Sequence, residues 1–114
     1  MPARTLTHHK ENPYYKQVKE QQVVVFTPSA YELNILVTAI TPAALRCFFV
    51  LLSRLDADGS ASAPLGDLRK IIGSPAPTLS RALGELALFE LIKKRSNGMY
   101  WVSPSVARSL AVRG

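Results

Sequence analysis

Two short groups of side chains in this sequence have types and spacing that could do chemistry. Thr78, Ser80 and Arg81 place two hydroxyls and a guanidinium within about one helical turn. Lys93-Lys94-Arg95 places three cations in a row, directly before Ser96-Asn97-Gly98. A guanidinium can bond the edge of guanine with two hydrogen bonds, and hydroxyls can reach a phosphate or a base. Cations neutralise phosphates, each contact steepening the salt dependence of binding by about −0.9 in log–log slope. A basic run also has plainer readings, a solvated strand end or an edge strand guarded by lysine against aggregation. The guarded edge strand accounts for one lysine better than for three adjacent cations; the solvated strand end stays open until the surrounding pattern is read.

Catalytic chemistry finds little support. His8 and His9 adjoin in a polar stretch, with no partner at metal-ligand spacing. Cys47, the single cysteine, lies inside the most apolar segment and reads as a structural thiol. Alone, it provides neither an intrachain disulfide nor a Cys-based zinc site. Asp56 and Asp58 before Gly59 lack the other ligands of a calcium loop and read as a turn. Gly-rich phosphate loops are absent from the sequence. A non-enzyme is expected, with no cofactor, no metal and no small-molecule substrate.

The chain of 114 residues is 47% hydrophobic and 19% charged, which supports one ordinary core and one domain. Its longest apolar run, Cys47-Phe48-Phe49-Val50-Leu51-Leu52, is far short of the roughly 20 residues that span a bilayer. The amino terminus shows no apolar region of a secretory signal. A cytoplasmic protein that avoids the membrane is expected. The net charge of +6 favours an acidic partner without defining one. Residues 91–114 carry Lys93, Lys94, Arg95, Arg108 and Arg113 with no acidic residue. Residues 59–90 balance Arg69, Lys70 and Arg81 against Asp67, Glu85 and Glu90.

The elements that must position these groups follow from periodicity. Residues 1–20, polar and without period, read as a mobile arm, and residues 21–114 as the domain. Val23-Val24-Val25-Phe26 suits a strand or extended segment. Thr27-Pro28 predicts a helix start, with Leu33, Leu36, Val37 and Ile40 on one face. Thr41-Pro42 predicts a second start, with Leu45, Phe48, Phe49, Leu52 and Leu55 at helical spacing along the most buried helix. After a turn at residues 56–60, residues 61–63 are predicted to be extended. A short helix over residues 64–72 turns Leu65, Leu68, Ile71 and Ile72 inward and Arg69 and Lys70 outward. Gly73 permits a tight left-handed turn. A helix over residues 76–89 follows, with Leu79, Ala82, Leu83 and Leu86 inward. Pro77, Arg81, Gly84 and Leu88 lie opposite, flanked by Ser80 and Glu85.

Residues 91–95 and 99–103 then form a hairpin around Asn97-Gly98, a pair that accepts positive φ at both positions. Tyr100 and Trp101 alternate in direction, so one packs on the core; core packing is favoured for Trp101 over a base-stacking role. Pro104 to Val112 could add a last helical turn. This order predicts a mainly α fold with a small β-hairpin (α+β), a winged helix-turn-helix. In that layout the helix over residues 76–89 enters the major groove of a duplex, and the hairpin lies against the backbone. Thr78, Ser80, Arg81, Arg69, Lys70, Lys93, Lys94, Arg95 and Asn97 are the candidate contacts to double-stranded DNA.

From about Tyr14 to Ser105 the chain resembles the RepL-like plasmid replication proteins. The likeness is carried by Leu65-Gly66-Asp67-Leu68 through Gly73, Thr78-Leu79-Ser80-Arg81-Ala82-Leu83, and Ile92-Lys93-Lys94. The closing run Gly98-Met99-Tyr100-Trp101-Val102-Ser103-Pro104 and the helix expected over residues 28–39 point the same way. Ser103 departs from the Asn that usually precedes the proline, and Glu90 stands where related domains place a glycine. Pro75 and Pro77 remove two backbone donors from the helix start. The resemblance implies binding at a plasmid origin and a part in starting or controlling replication; a transcriptional repressor built on the same fold is the alternative. A single reading head binds weakly, so a homodimer is expected. Val23 to Phe26, the helix bearing Leu33 to Ile40, and Leu88 are candidates for the subunit contact.

Overall fold

The computed structural model describes the backbone of residues 21–112 and the side chains of residues 24–110. The arm assigned to residues 1–20, with His8 and His9, lies outside the described residues, as does Arg113. The elements run β1 (Gln21–Phe26), α1 (Ala30–Asn34), a π-helical turn (Ile35–Ala39), α2 (Pro42–Ser53), β2 (Ser60–Ser62), α3 (Leu65–Ile72), α4 (Ala76–Leu88), β3 (Ile92–Ser96), β4 (Met99–Val102) and β5 (Ala107–Val112). Among the described residues the architecture is α+β: four helices, a three-stranded antiparallel sheet in the order β2-β4-β3, and a separate antiparallel pair, β1-β5.

The first helix starts later than predicted. Ser29, not Thr27, is its cap: the Glu32 amide donates to Ser29 Oγ at 3.1 Å, and the Ser29 amide donates back to Glu32 Oε1 at 2.8 Å. This Ser-x-x-Glu box satisfies two end donors at once, which a hydroxyl at position 27 cannot match. Thr27 instead bonds the far end of the chain, its amide donating to the Val106 carbonyl at 2.8 Å. The predicted inward face also shifts. Ile35 and Leu36 are buried, whereas Val37 is 72% exposed and Leu33 is exposed as well. The cause is the π turn, closed by the Ile40 amide on the Ile35 carbonyl at 3.3 Å; its extra residue changes the helical phase.

Helix α2 is the centre of the core. Thr41 caps it as expected, accepting from the Ala44 amide, and Pro42 occupies the first turn. Ala44, Cys47, Phe48, Leu51 and Leu52 are buried along it, while Phe49 faces out at 54% exposure. Burial pushes the Cys47 thiol up from its ordinary pKa, away from the reactive thiolate. On α3 only Leu68 is fully buried; Ile72 is half-buried, and Leu65 and Ile71 are exposed, contrary to expectation. This helix has eight residues, and one row along it meets the core. Arg54 fixes its start, donating to Asp67 Oδ2 at 2.8 Å and to the Ser62 carbonyl at 3.2 Å.

The carboxyl-terminal segment is not helical beyond one turn at Ser103, whose carbonyl accepts from the Val106 and Ala107 amides. From Ala107 the chain is strand β5, paired with β1 from Phe26↔Ala107 to Gln21↔Val112. A partner strand some eighty positions away overrides the weak local preference. No described helix is long and apolar enough to cross a membrane.

Candidate functional site

The turn between α3 and α4 is built as the sequence predicts. Gly73 adopts φ 85° and ψ 5°, and its amide donates to the Arg69 carbonyl at 2.8 Å. A side chain added here would meet no other atom, so backbone conformation alone favours glycine. Helix α4 begins at Pro75 without a side-chain cap. Leu79, Ala82, Leu83 and Leu86 are buried on its inner face, all four as expected. Pro77, Ser80, Arg81, Gly84 and Leu88 are exposed on the opposite edge, and Thr78 is half-buried beside it.

Glu85 is withdrawn from that edge. Its Oε1 accepts from the Thr41 hydroxyl at 2.8 Å and from the Thr41 amide at 3.1 Å. The carboxylate thus ties α4 to the start of α2. An outer edge with Arg81 and no competing acid is left behind.

The hairpin divides its cations between two faces. In register, Lys94 opposes Tyr100 and Lys93 opposes Trp101, and directly opposite residues share a face. Lys94 and Tyr100 face α4, lining a cleft of about 460 Å³ with Pro64, Leu65, Ser80, Leu83, Asn97 and Gly98. Three predicted contact residues, Ser80, Lys94 and Asn97, therefore meet in one place. Tyr100 also packs on the core, and burial foremost raises its phenol pKa above the ordinary range.

Arg95 departs from the expectation of a free basic triplet. Its guanidinium carbon lies 4.6 Å from the centre of the Trp101 ring. The same side chain donates to Ser60 Oγ at 3.2 Å and reaches Asp58 Oδ2 at 3.5 Å. The sheet order explains this: β4 lies between β3 and β2, so Arg95 crosses the indole to reach the start of β2. Asp58 is held below its ordinary pKa, mainly by the Ser60 hydroxyl and amide, with Arg95 contributing. The expectation that no acid lies near the basic run fails on this contact. Trp101, expected in the core, is 38% exposed on the outer face.

The hairpin turn also differs from the one predicted. Only Gly98 takes positive φ, at 74°, and the register shifts between Lys94 and Ser96. Asn97 is therefore not in the left-handed conformation that the tightest two-residue turn requires at both positions. The Gly98 carbonyl accepts from the Ala63 amide at 2.7 Å, docking the turn beside Pro64.

Arg69 and Lys70 are exposed on α3, beside an open notch formed with Gly66, Gly73, Ser74 and Pro75. They stand apart from the Ser80–Lys94–Asn97 cleft. Arg81 ion-pairs with no described residue. Among the described residues no group of His, Cys, Asp and Glu is placed to hold a metal ion. The Glu85 tie, the apolar cleft wall of Pro64 and Leu65, and the exposed indole were not legible in the sequence; all three depend on long-range packing. No family model matches the chain, and no curated protein or solved structure shows significant similarity to it.

Proposed function

We propose that the protein is a winged helix-turn-helix that binds double-stranded DNA in a sequence-dependent manner. The carrying observation is the cleft in which Ser80 of α4 and Lys94 and Asn97 of the hairpin meet, beside an α4 edge that presents Arg81. A major groove about 12 Å wide accepts one helix if its outer residues are small or are long donors. Pro77, Ser80 and Gly84 are compact, and Arg81 is the long donor among them. Arg81 reads a base; Lys94 on the hairpin, and Arg69 and Lys70 on α3, contact phosphates, whereas Lys93 lies on the opposite face of the hairpin with Trp101. The resemblance to RepL-like proteins supports action at a plasmid origin, in initiation or copy control.

Two copies bind together in this proposal. A reading head with few phosphate contacts is weak at physiological salt, and a second half-site restores affinity. The β1-β5 pair supports this arrangement, with Phe26 and Leu110 exposed along it and Leu33 and Val37 exposed on the adjoining helical segment.

Selection of bound fragments from random duplex DNA tests both parts. A repeated or palindromic consensus is expected, blurred at one base position by Arg81→Ala. Recovery of unenriched sequences contradicts sequence-dependent binding, and a single unrepeated site contradicts the paired arrangement. Supplying the protein beside a cloned origin then separates replication from transcriptional repression: an initiator supports replication, whereas a repressor changes promoter output alone.

A further inference from the structure

We propose that the outer face of the hairpin is a second binding surface, on which Trp101 stacks an unpaired base of single-stranded DNA. This surface lies on the side of the sheet away from Tyr100 and Lys94, and so away from the α4 cleft. The indole is accessible, and it is braced rather than loose: Arg95 lies over it at 4.6 Å and is itself held by Ser60 and Asp58. A cleft of about 260 Å³ borders the same indole, lined by Glu90, Ile92, Lys93, Val102, Ser103 and Pro104. Every one of those residues lies at or beyond the Lys93–Trp101 pair, on the side away from the hairpin turn. Arg95 approaches from the turn side. The ring therefore has a cation at one flank and an open slot at the other.

The occupant follows from the chemistry of the slot. The Glu90 carboxylate on its wall repels a phosphate but accepts hydrogen bonds from base N–H groups. Lys93, directly across the ladder from Trp101, is exposed and placed for the phosphate of the same nucleotide. A planar ring with a flanking cation is the arrangement that holds single strands with little sequence preference. A base within a duplex is stacked on its neighbours and cannot enter, so the surface distinguishes unpaired from paired DNA. The proposal does not depend on the duplex reading of the α4 edge.

Trp101 is the only tryptophan in the chain, so its fluorescence reports on this surface alone. Titrating the full chain with oligothymidylate at low salt is expected to quench the emission saturably, whereas duplex DNA leaves it nearly unchanged. A dye-labelled oligothymidylate is expected to bind Trp101→Phe as it binds the wild type. Binding to Trp101→Leu weakens roughly five- to 150-fold, the equivalent of a lost stack of about 1–3 kcal/mol. Arg81→Ala leaves the quench intact while it weakens duplex binding. Unquenched emission overturns the proposal, even where duplex binding persists. So does equal quenching by duplex, or a Trp101→Leu protein that is folded by circular dichroism and binds the oligomer at wild-type strength.

Discussion

Thr41 Oγ1 donates a 2.8 Å hydrogen bond to Glu85 Oε1 while accepting a 3.3 Å bond from the Ala44 amide. One hydroxyl thus caps α2 and anchors the last turn of α4. Because α4 carries the edge assigned to the groove, this link bears on how that helix is held against α2. Thr41→Ala is expected to cost about 1 kcal/mol through loss of the cap, and Glu85→Ala a similar amount. Since both variants break the same bond, the double variant should cost less than the two single losses together. Urea denaturation of the four proteins measures the difference. Strict additivity would show that the link carries no energy of its own.

The cations of the hairpin should behave differently from one another. Lys94→Ala is expected to weaken binding to all duplex sequences alike and to lower the salt slope by about 0.9. Arg95→Ala should change the slope little, because its guanidinium is engaged by Trp101, Ser60 and Asp58. Its effect is expected on the Trp101 emission spectrum, as the indole loses its bracing cation. Filter binding across a salt series distinguishes the two variants.

Glycine is required at the hairpin tip on two counts. Gly98 has positive φ, and an added Cβ would stand 3.2 Å from the Pro64 Cα, tighter than an ordinary contact. Gly73 has positive φ and open space around it. Gly73→Ala is therefore expected to cost about 1–2 kcal/mol from the left-handed backbone alone, and Gly98→Ala more. Thermal unfolding of the two variants checks the order.

The reverse substitution should stabilise. Glu90 holds φ 61° just beyond α4, where a side chain is strained. Glu90→Gly removes that strain but adds flexibility to the unfolded chain, leaving a net gain of up to about 1 kcal/mol. An upward shift of the urea midpoint is the expected result.

Acid should destabilise the protein in part through Glu32. The Ser29 amide, foremost, and the Ser105 hydroxyl hold its carboxyl below the ordinary 4.5. Asp58 is likewise held below its ordinary 3.8. A carboxylate with a lowered folded pKa contributes its full stabilisation above its unfolded value and loses it as pH falls through the folded one. The melting temperature is therefore expected to drop as pH falls from 4.5, and Glu32→Gln should flatten that decline.

What could be read from the sequence was what local pattern determines. The inner face of α4, the Thr41 cap and the Gly73 turn all rest on neighbours within a few positions. The positive φ at Glu90 had no local signal in the sequence; only the family resemblance, with a glycine at that position, pointed to it. Long-range packing settled the rest. Val37 faces solvent because an extra residue in a π turn changes the phase, and β5 is a strand because β1 lies beside it. Arg95 looked free because Asp58, 37 positions earlier, meets it only once β2 joins β4. For the site, spacing predicted that α4 and the hairpin cooperate; only the fold divided Lys94 from Lys93 and Arg95.

Amide chemical-shift mapping with a selected duplex tests the central claim most directly. The largest changes are expected at Ser80, Arg81, Gly84, Lys94 and Asn97, with smaller ones at Arg69 and Lys70. Shifts confined to the β1-β5 pair, or none at any concentration of duplex, would contradict it.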